Sequence, residues 1–342
     1  MVTAQQWDLR PFTTWIAEEF LPSAKAGPGV ADYGQSPGAT RPALYGTADA
    51  ACILYTLDRF DGIGPAGVWL QALARYQDRR SGYFVDDTPI LPTAHNTGFA
   101  IGAMQLFEPH LHNGAAPLGT LSFAEPMRDT SWTERFFNTL DWRSRCYEAG
   151  EIVTGLASTF YNVTGVVERR WFDWLVSYIE SAKLDATTGL AGLGKPEQGD
   201  LDQIGGTFHF DFVWAALHRT LPHAQARAKT LLGLQKTGGL WDEHNPWWLT
   251  FDSIYMLGRT LPHVPGDLAD RVREAIAKAV TALAARALDS GTRTKDFVDH
   301  WQGVHMLTGA LSAFAYAQQV FGTETLRTDR PLRLVLDRRP YI

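Results

Sequence analysis

Two kinds of segment alternate along the chain. One kind is apolar on nearly every side and rich in Ala and Gly: Leu44–Phe60, His95–Glu108, Ala149–Thr164, Gly206–Thr220, Trp248–Leu261 and His300–Val320. The other is amphipathic, over about Trp7–Leu21, Ala66–Asp78, Ser131–Trp142, Glu168–Lys183, Ala224–Gln235 and Asp267–Asp289. In the last of these, Val272, Ile276, Val280 and Leu283 keep the spacing of one helix face. Pro222 and Pro262 end the helices before them, since proline disfavours helix at the preceding residue. A period of two occurs only at Leu332–Leu336, which predicts a short strand. The apolar segments begin at residues 44, 95, 149, 206, 248 and 300, a recurrence that fits one helical hairpin per repeat. The pattern therefore predicts an all-α single domain of six hairpins. They span about 7–60, 66–108, 131–164, 168–220, 224–261 and 267–320, with a tail over 321–342.

The small residues have a geometric reason. Helices of an inner ring pack on both sides, and Ala48, Ala50 and Ala51, Gly98, Ala100, Gly102 and Ala103, and Gly309, Ala310 and Ala313 permit that approach. An open solenoid shows the same pairing without closing. The turns carry a recurring Gly with an aromatic or apolar residue and, in two of them, acids: Gln77-Asp78…Gly82-Tyr83-Phe84-Val85-Asp86, Thr188-Gly189-Leu190 and Gln235…Gly238-Gly239-Leu240-Trp241-Asp242. With these turns, residues 7–320 resemble the α/α-toroid superfamily of six-hairpin glycosidases, polysaccharide lyases and terpenoid cyclase or prenyltransferase repeat proteins. The resemblance implies an (α/α)6 toroid. It specifies architecture and leaves the chemistry open, because these relatives run different reactions.

Composition narrows the classes further. The chain is 45% hydrophobic, 12% aromatic and 20% charged, which excludes a disordered, collagen-like or disulfide-stapled chain. Its net charge of −6, with dispersed Lys and Arg, argues against nucleic acid as a partner. No stretch reaches the ~18 uncharged apolar residues of a membrane span. The first residues show no cationic stretch followed by an apolar run, so the expected location is cytoplasmic unless a leader has been removed. Cys52 and Cys146 are expected as reduced, buried thiols. The oligomeric state is left open.

If outer and inner helices alternate, every outer-to-inner loop meets at one rim, where a site belongs. Those loops and the first inner turns carry Asp32, Tyr33, Arg41, Asp86, Asp87, His95, Asn96, Tyr147, Glu148, Glu151, Asp200, Asp202, Gln203, His209, Asp242, Glu243, His244, Trp247, Trp248, Asp252, Tyr255, Asp296, Asp299, His300, Trp301 and His305. Each has a plainer alternative. Asp86-Asp87-Thr88-Pro89 is an acid pair or an ordinary turn, and His95-Asn96 faces the mouth or caps a helix. His209 falls at the expected first inward turn, and Asp252 and Tyr255 share a helix face. Trp241-Asp242-Glu243-His244-Asn245-Pro246-Trp247-Trp248 sets three indoles, two acids and a His in one loop, where adjacent Trp more often floor a cleft than fill a core.

Three chemistries compete for that mouth. A glycosidase needs a protonated and an ionised carboxyl, for which Asp86 or Asp87 with Asp242 or Glu243 are the candidates. His209 is the further catalytic candidate; His244 and His300 would orient the acids or bind substrate, and Trp247, Trp248 and Trp301 would stack on a mono- or oligosaccharide. A polysaccharide lyase would draw on Asn96, His209, Tyr255 and Arg41, and Asn245-Pro246-Trp247-Trp248 is loosely similar to an Asn-Trp-Trp run of toroid lyases. A terpenoid cyclase would use the aromatic residues against carbocations. That family's Asp-x-Asp-Asp motif is absent; Asp200-Leu201-Asp202 and Asp86-Asp87 come nearest. Hydrolase is favoured over lyase, with the cyclase and a non-catalytic binding toroid as alternatives. No metal and no cofactor is expected: His110-Leu111-His112 lacks a third ligand, and phosphate loops, nucleophile elbows and Cys clusters are missing.

Overall fold

The computed structural model of the chain describes residues 6–86, 91–108, 111, 114, 117–163, 169–192, 200–339 and 341. They are mostly helical. The principal helices are α1 (Arg10–Trp15), α2 (Leu44–Thr56), α3 (Ala66–Ala74), α4 (Thr93–Phe107), α5 (Thr130–Phe137) and α6 (Cys146–Val163). They continue as α7 (Arg169–Ala182), α8 (Asp200–Ala216), α9 (Ala224–Leu234), α10 (Trp248–Thr260), α11 (Gly266–Leu288) and α12 (Gly303–Phe321). A π-helical turn, Ile16–Phe20, and Leu21–Ser23 prolong α1. The odd-numbered helices match the amphipathic segments and the even-numbered ones the apolar segments. On α11, Leu268, Val272, Ile276, Val280 and Leu283 are buried while Arg271, Arg273 and Glu274 face out. In α4, every residue from Ala94 to Leu106 is buried. No helix among the described residues is long and apolar enough to cross a membrane.

The chain packs as two compact units: residues up to Val68 with Leu231–Asp337, and Trp69–Thr230 with the residues from Arg338 onward. In the first unit, α12 packs on α2, α10 and α11. Phe12, Trp15, Phe20 and Trp247 gather around Phe297, with ring centroids 4.9–6.5 Å apart. A parallel pair of two-residue strands, β1 (Trp7–Asp8) and β2 (Leu326–Arg327), ties the two stretches of this unit together. The strand expected at Leu332–Leu336 is not there. Leu332 N–H donates to the Gln318 side chain and Arg333 N–H to the Thr56 carbonyl, so helix groups take the backbone bonds a strand partner would need. Val335–Arg338 is instead a single helical turn.

In the second unit, α6 packs on both α4 and α8. Indoles key the amphipathic helices onto these: Trp69 stacks on Phe107, Trp171 lies 4.9 Å from Phe160, and Trp214 Nε1 of α8 donates to Glu180 of α7. Two of the recurring turns, both in this unit, share one construction. Antiparallel bridges join Gln77 to Phe84 and Leu184 to Ala191, with Gly82 and Gly189 at φ +86° and +71°, a region that favours glycine. Each turn is then bolted to the following inner helix by a threonine. Phe84 N–H donates to Thr97 Oγ1 and Ala191 N–H to Thr207 Oγ1. Behind the second turn, fully buried Arg227 pairs with Asp211 and donates to the Gly189 carbonyl.

Two boundaries differ from the sequence expectation. Helix α8 begins at Asp200, not Gly206, which puts His209 in its third turn instead of its first. Helix α6 begins at Cys146, not Ala149, which puts Tyr147 and Glu148 in its first turn and Glu151 in its second. Local capping explains the second shift: the Asp202 carboxylate accepts Tyr147 N–H at the start of α6, a contact between residues 55 apart in the chain.

Candidate functional site

Glycines bring the second unit's inner helices together. A Cβ at Gly155 of α6 would meet the backbone of Ala94 and His95 on α4, and one at Gly150 would meet the backbone of Gly206 on α8. Three helices held this close place His95, Glu151 and His209 side by side. One donor atom from each lies within 4.8 Å of the others, and all three residues are buried. Gly205 serves twice here: Tyr147 occupies the space its side chain would need, and its carbonyl accepts His209 Nδ1–H at 2.7 Å. A carbonyl can only accept, so Nδ1 carries the proton and Nε2 of the neutral ring keeps its lone pair.

Aromatic rings wall the cluster. Tyr341 lies 5.2 Å from the His95 ring and 6.4 Å from His209, and its hydroxyl donates to the Glu151 carbonyl. Tyr147, Phe208 and Phe212 stand 5.4–6.0 Å from His209, edge-on. Burial governs the protonation. It pushes the Glu151 carboxyl well above the usual carboxylate range, and the Glu148 and Asp202 carboxylates push it further. Burial lowers His209 to about 4, against the opposing pull of its Gly205 bond. Tyr341 is held well above 10 by burial and by the Glu151 charge. Asp202 is raised by burial, partly offset by the Tyr147 and Cys146 N–H groups.

The other candidates divide between the units. In the second, Asn96 and Asp86 are buried, Glu148 pairs with Arg145 at the surface, and Asp87 lies outside the described residues, as do His110 and His112. In the first, Asp242 accepts His244 N–H within a turn, and Glu243 and His244 are exposed. Trp241 and Trp247 are enclosed and bonded, to the Leu231 carbonyl and to Asp296, so they fill a core and floor no cleft. Trp301 is 59% exposed and stacks on His300, which accepts Gln302 N–H and whose pKa is lowered chiefly by burial. Asp299 is exposed; Asp252 and Tyr255 are buried, the latter 4.9 Å from Tyr316.

A second buried cluster forms in the first unit. Nδ1 of His305 lies 3.2 Å from both oxygens of Asp49, Trp248 lies 4.5 Å from the His305 ring, and Tyr45 meets it edge-on at 5.1 Å. Trp248 Nε1 is buried with no acceptor among the described residues.

Tyr147 and Glu151 lie on the rim that the sequence marks but carry no assigned role there, and Tyr341 is not marked at all, although a signal existed for Glu151. Each inner helix carries one or more fully or nearly buried threonines, and Thr47, Thr97, Thr154, Thr207, Thr250 and Thr308 can be set in register. In that register His95 and Trp248 lie two residues before the threonine, Glu151 and His305 three before, and His209, Asp49 and Asp252 two after. At about 100° per residue, the offsets of two before and two after fall about 40° apart around a helix, with three before about 100° from the nearer of them. Tyr341 had no such signal, since it reaches the cluster from outside the repeats. Against family models, characterised proteins and solved structures, the chain shows no match.

Proposed function

We propose that the chain is a carbohydrate-active enzyme, a hydrolase before a lyase, with its centre at His95, Glu151 and His209 on an (α/α)6 toroid. One observation carries this reading: a carboxyl and two imidazoles, from three different helices, meet within 4.8 Å in a buried setting. Bringing such groups out of water without function is costly, and polar side chains convergent in an aromatic wall are the usual makings of a reactive centre. The alternation of apolar and amphipathic helices supports the toroid. Glu151 and His209 take the proton-transfer roles first assigned to the Asp86–Asp87 and Asp242–Glu243 pairs. Tyr147 and Tyr341 offer ring faces and hydroxyls to a sugar.

The rings of Tyr147, Phe208, Phe212 and Tyr341 around His209 also suit a carbocation, which keeps a terpenoid-cyclase reading as the second alternative. Product analysis separates the two after incubation with neutral oligosaccharides, uronate-containing oligomers and isoprenoid diphosphates. Sugar cleavage that falls at least about 100-fold in Glu151→Gln and His209→Ala supports the proposal. Turnover of the isoprenoid alone replaces it with the cyclase. Binding of a sugar with no product in any arm leaves a non-catalytic toroid.

A further inference from the structure

We infer that His95, Glu151 and His209 form a binding site for a divalent first-row transition metal ion. The inference rests on the catalytic reading above and names the cofactor of the same site; with the ion bound, Glu151 and His209 would serve as its ligands and a water on the ion would supply the proton-transfer group. Two imidazole nitrogens and one carboxylate oxygen are the donor set favoured by zinc and by its neighbours in the first row, whereas magnesium and calcium prefer oxygen alone. The three donors lie within 4.8 Å of one another. Ligands at ~2.1 Å from a tetrahedral ion stand about 3.4 Å apart, so small side-chain rotations close the set. Three protein ligands also leave a position for water or substrate, the arrangement of catalytic ions.

Two further features point the same way. His209 already has the outer contact that metal-binding histidines use. Its Nδ1–H is fixed on the Gly205 carbonyl, which leaves Nε2 as the ligand atom. Each ligand also stands on a separate helix, and the backbone contacts at Gly155 and Gly150 hold those helices in place. The related positions of the first unit provide an internal control. There Trp248 replaces the first histidine, and His305 turns its Nδ1 onto Asp49, so that trio lacks the donor set.

The test uses the full chain, stripped with a strong chelator and dialysed against Zn²⁺ alone, with Mg²⁺ as control. Metal analysis should find one zinc per chain in the native protein and in His244→Ala, whose histidine is exposed. His95→Ala, His209→Ala and Glu151→Gln should each bind about 100-fold more weakly or worse. At a hundredfold excess over its Kd, zinc should raise Tm by about 4 °C in the native chain and not in the variants. Circular dichroism checks that each variant folds. If the alanine variants do not, Glu151→Gln and the visible spectrum of the Co²⁺-loaded native chain decide, since a tetrahedral N/O site absorbs far more strongly than aqueous cobalt. Zinc well below one per chain, or full retention in the ligand variants, overturns the inference. Sugar turnover by metal-free protein would overturn the metal site alone, and stoichiometric zinc without turnover would overturn the enzyme reading alone.

Discussion

The two buried polar clusters are built from the same parts and end in opposite states. Each takes one residue from each of three inner helices, at matched offsets from a buried threonine. In the first unit Asp49 and His305 bond each other and Trp248 covers them. In the second, His209 spends one nitrogen on its own helix, and the remaining donors of His95, Glu151 and His209 face one another. The first arrangement closes on itself as structure. The second concentrates groups that burial disfavours, which is the signature of function held in place by its scaffold.

If that difference is real, the units should respond oppositely to the loss of one partner. His305→Leu strands the Asp49 carboxylate in the interior and should cost about 3 kcal/mol in urea unfolding. A cost near zero would show that the pair does not hold the first unit together. Gly155→Ala forces a methyl against the α4 backbone and should cost about 2–3 kcal/mol. Gly309→Ala meets only the Trp248 ring and should cost about 1 kcal/mol, because a side chain can yield where backbone cannot. Reversal of that order would mean that α4 and α6 are not locked together.

Smaller effects sharpen the contrast. Glu151→Gln should change the stability of metal-free protein by less than about 1 kcal/mol while removing the activity of the zinc-loaded chain, since active-site residues contribute little to stability. A loss as large as that of His305→Leu would make Glu151 structural. The units also bury one thiol each, Cys52 and Cys146. Burial pushes the Cys146 thiol up to about 12, and the nearby Asp202 charge adds to it. At pH 8 its thiolate fraction is then about one in ten thousand, so a disulfide reagent should label neither thiol until denaturant is added. Rapid labelling of Cys146 would show that the α6–α8 contact opens.

Much of the helical frame was readable. Ala and Gly marked α2, α4 and α12 as closely packed apolar helices, and the four-residue recurrence from Val272 to Val280 marked α11 as amphipathic. The acid–Trp loop at 241–248 misled for a physical reason. Local sequence shows that indoles are adjacent but not what they touch, and Trp241 and Trp247 find acceptors at Leu231 and Asp296 that draw them into the core. His95 and His209 stood out as polar groups on apolar segments. Glu151 did not, because it is one of several acids on the same rim and nothing in the neighbouring residues distinguishes it from Glu148 or Asp202.

The sequence alone determined the helices, which of them are apolar on most sides and which carry a polar face, and the glycine turns between them, because periodicity and positive φ are local properties of a few consecutive residues. Tertiary structure decided which polar groups meet. His95, Glu151, His209 and Tyr341 are separated by dozens of residues along the chain and come together through contacts at Gly150 and Gly155. A close approach between two helices depends on both surfaces at once. No window along a single strand of sequence contains it.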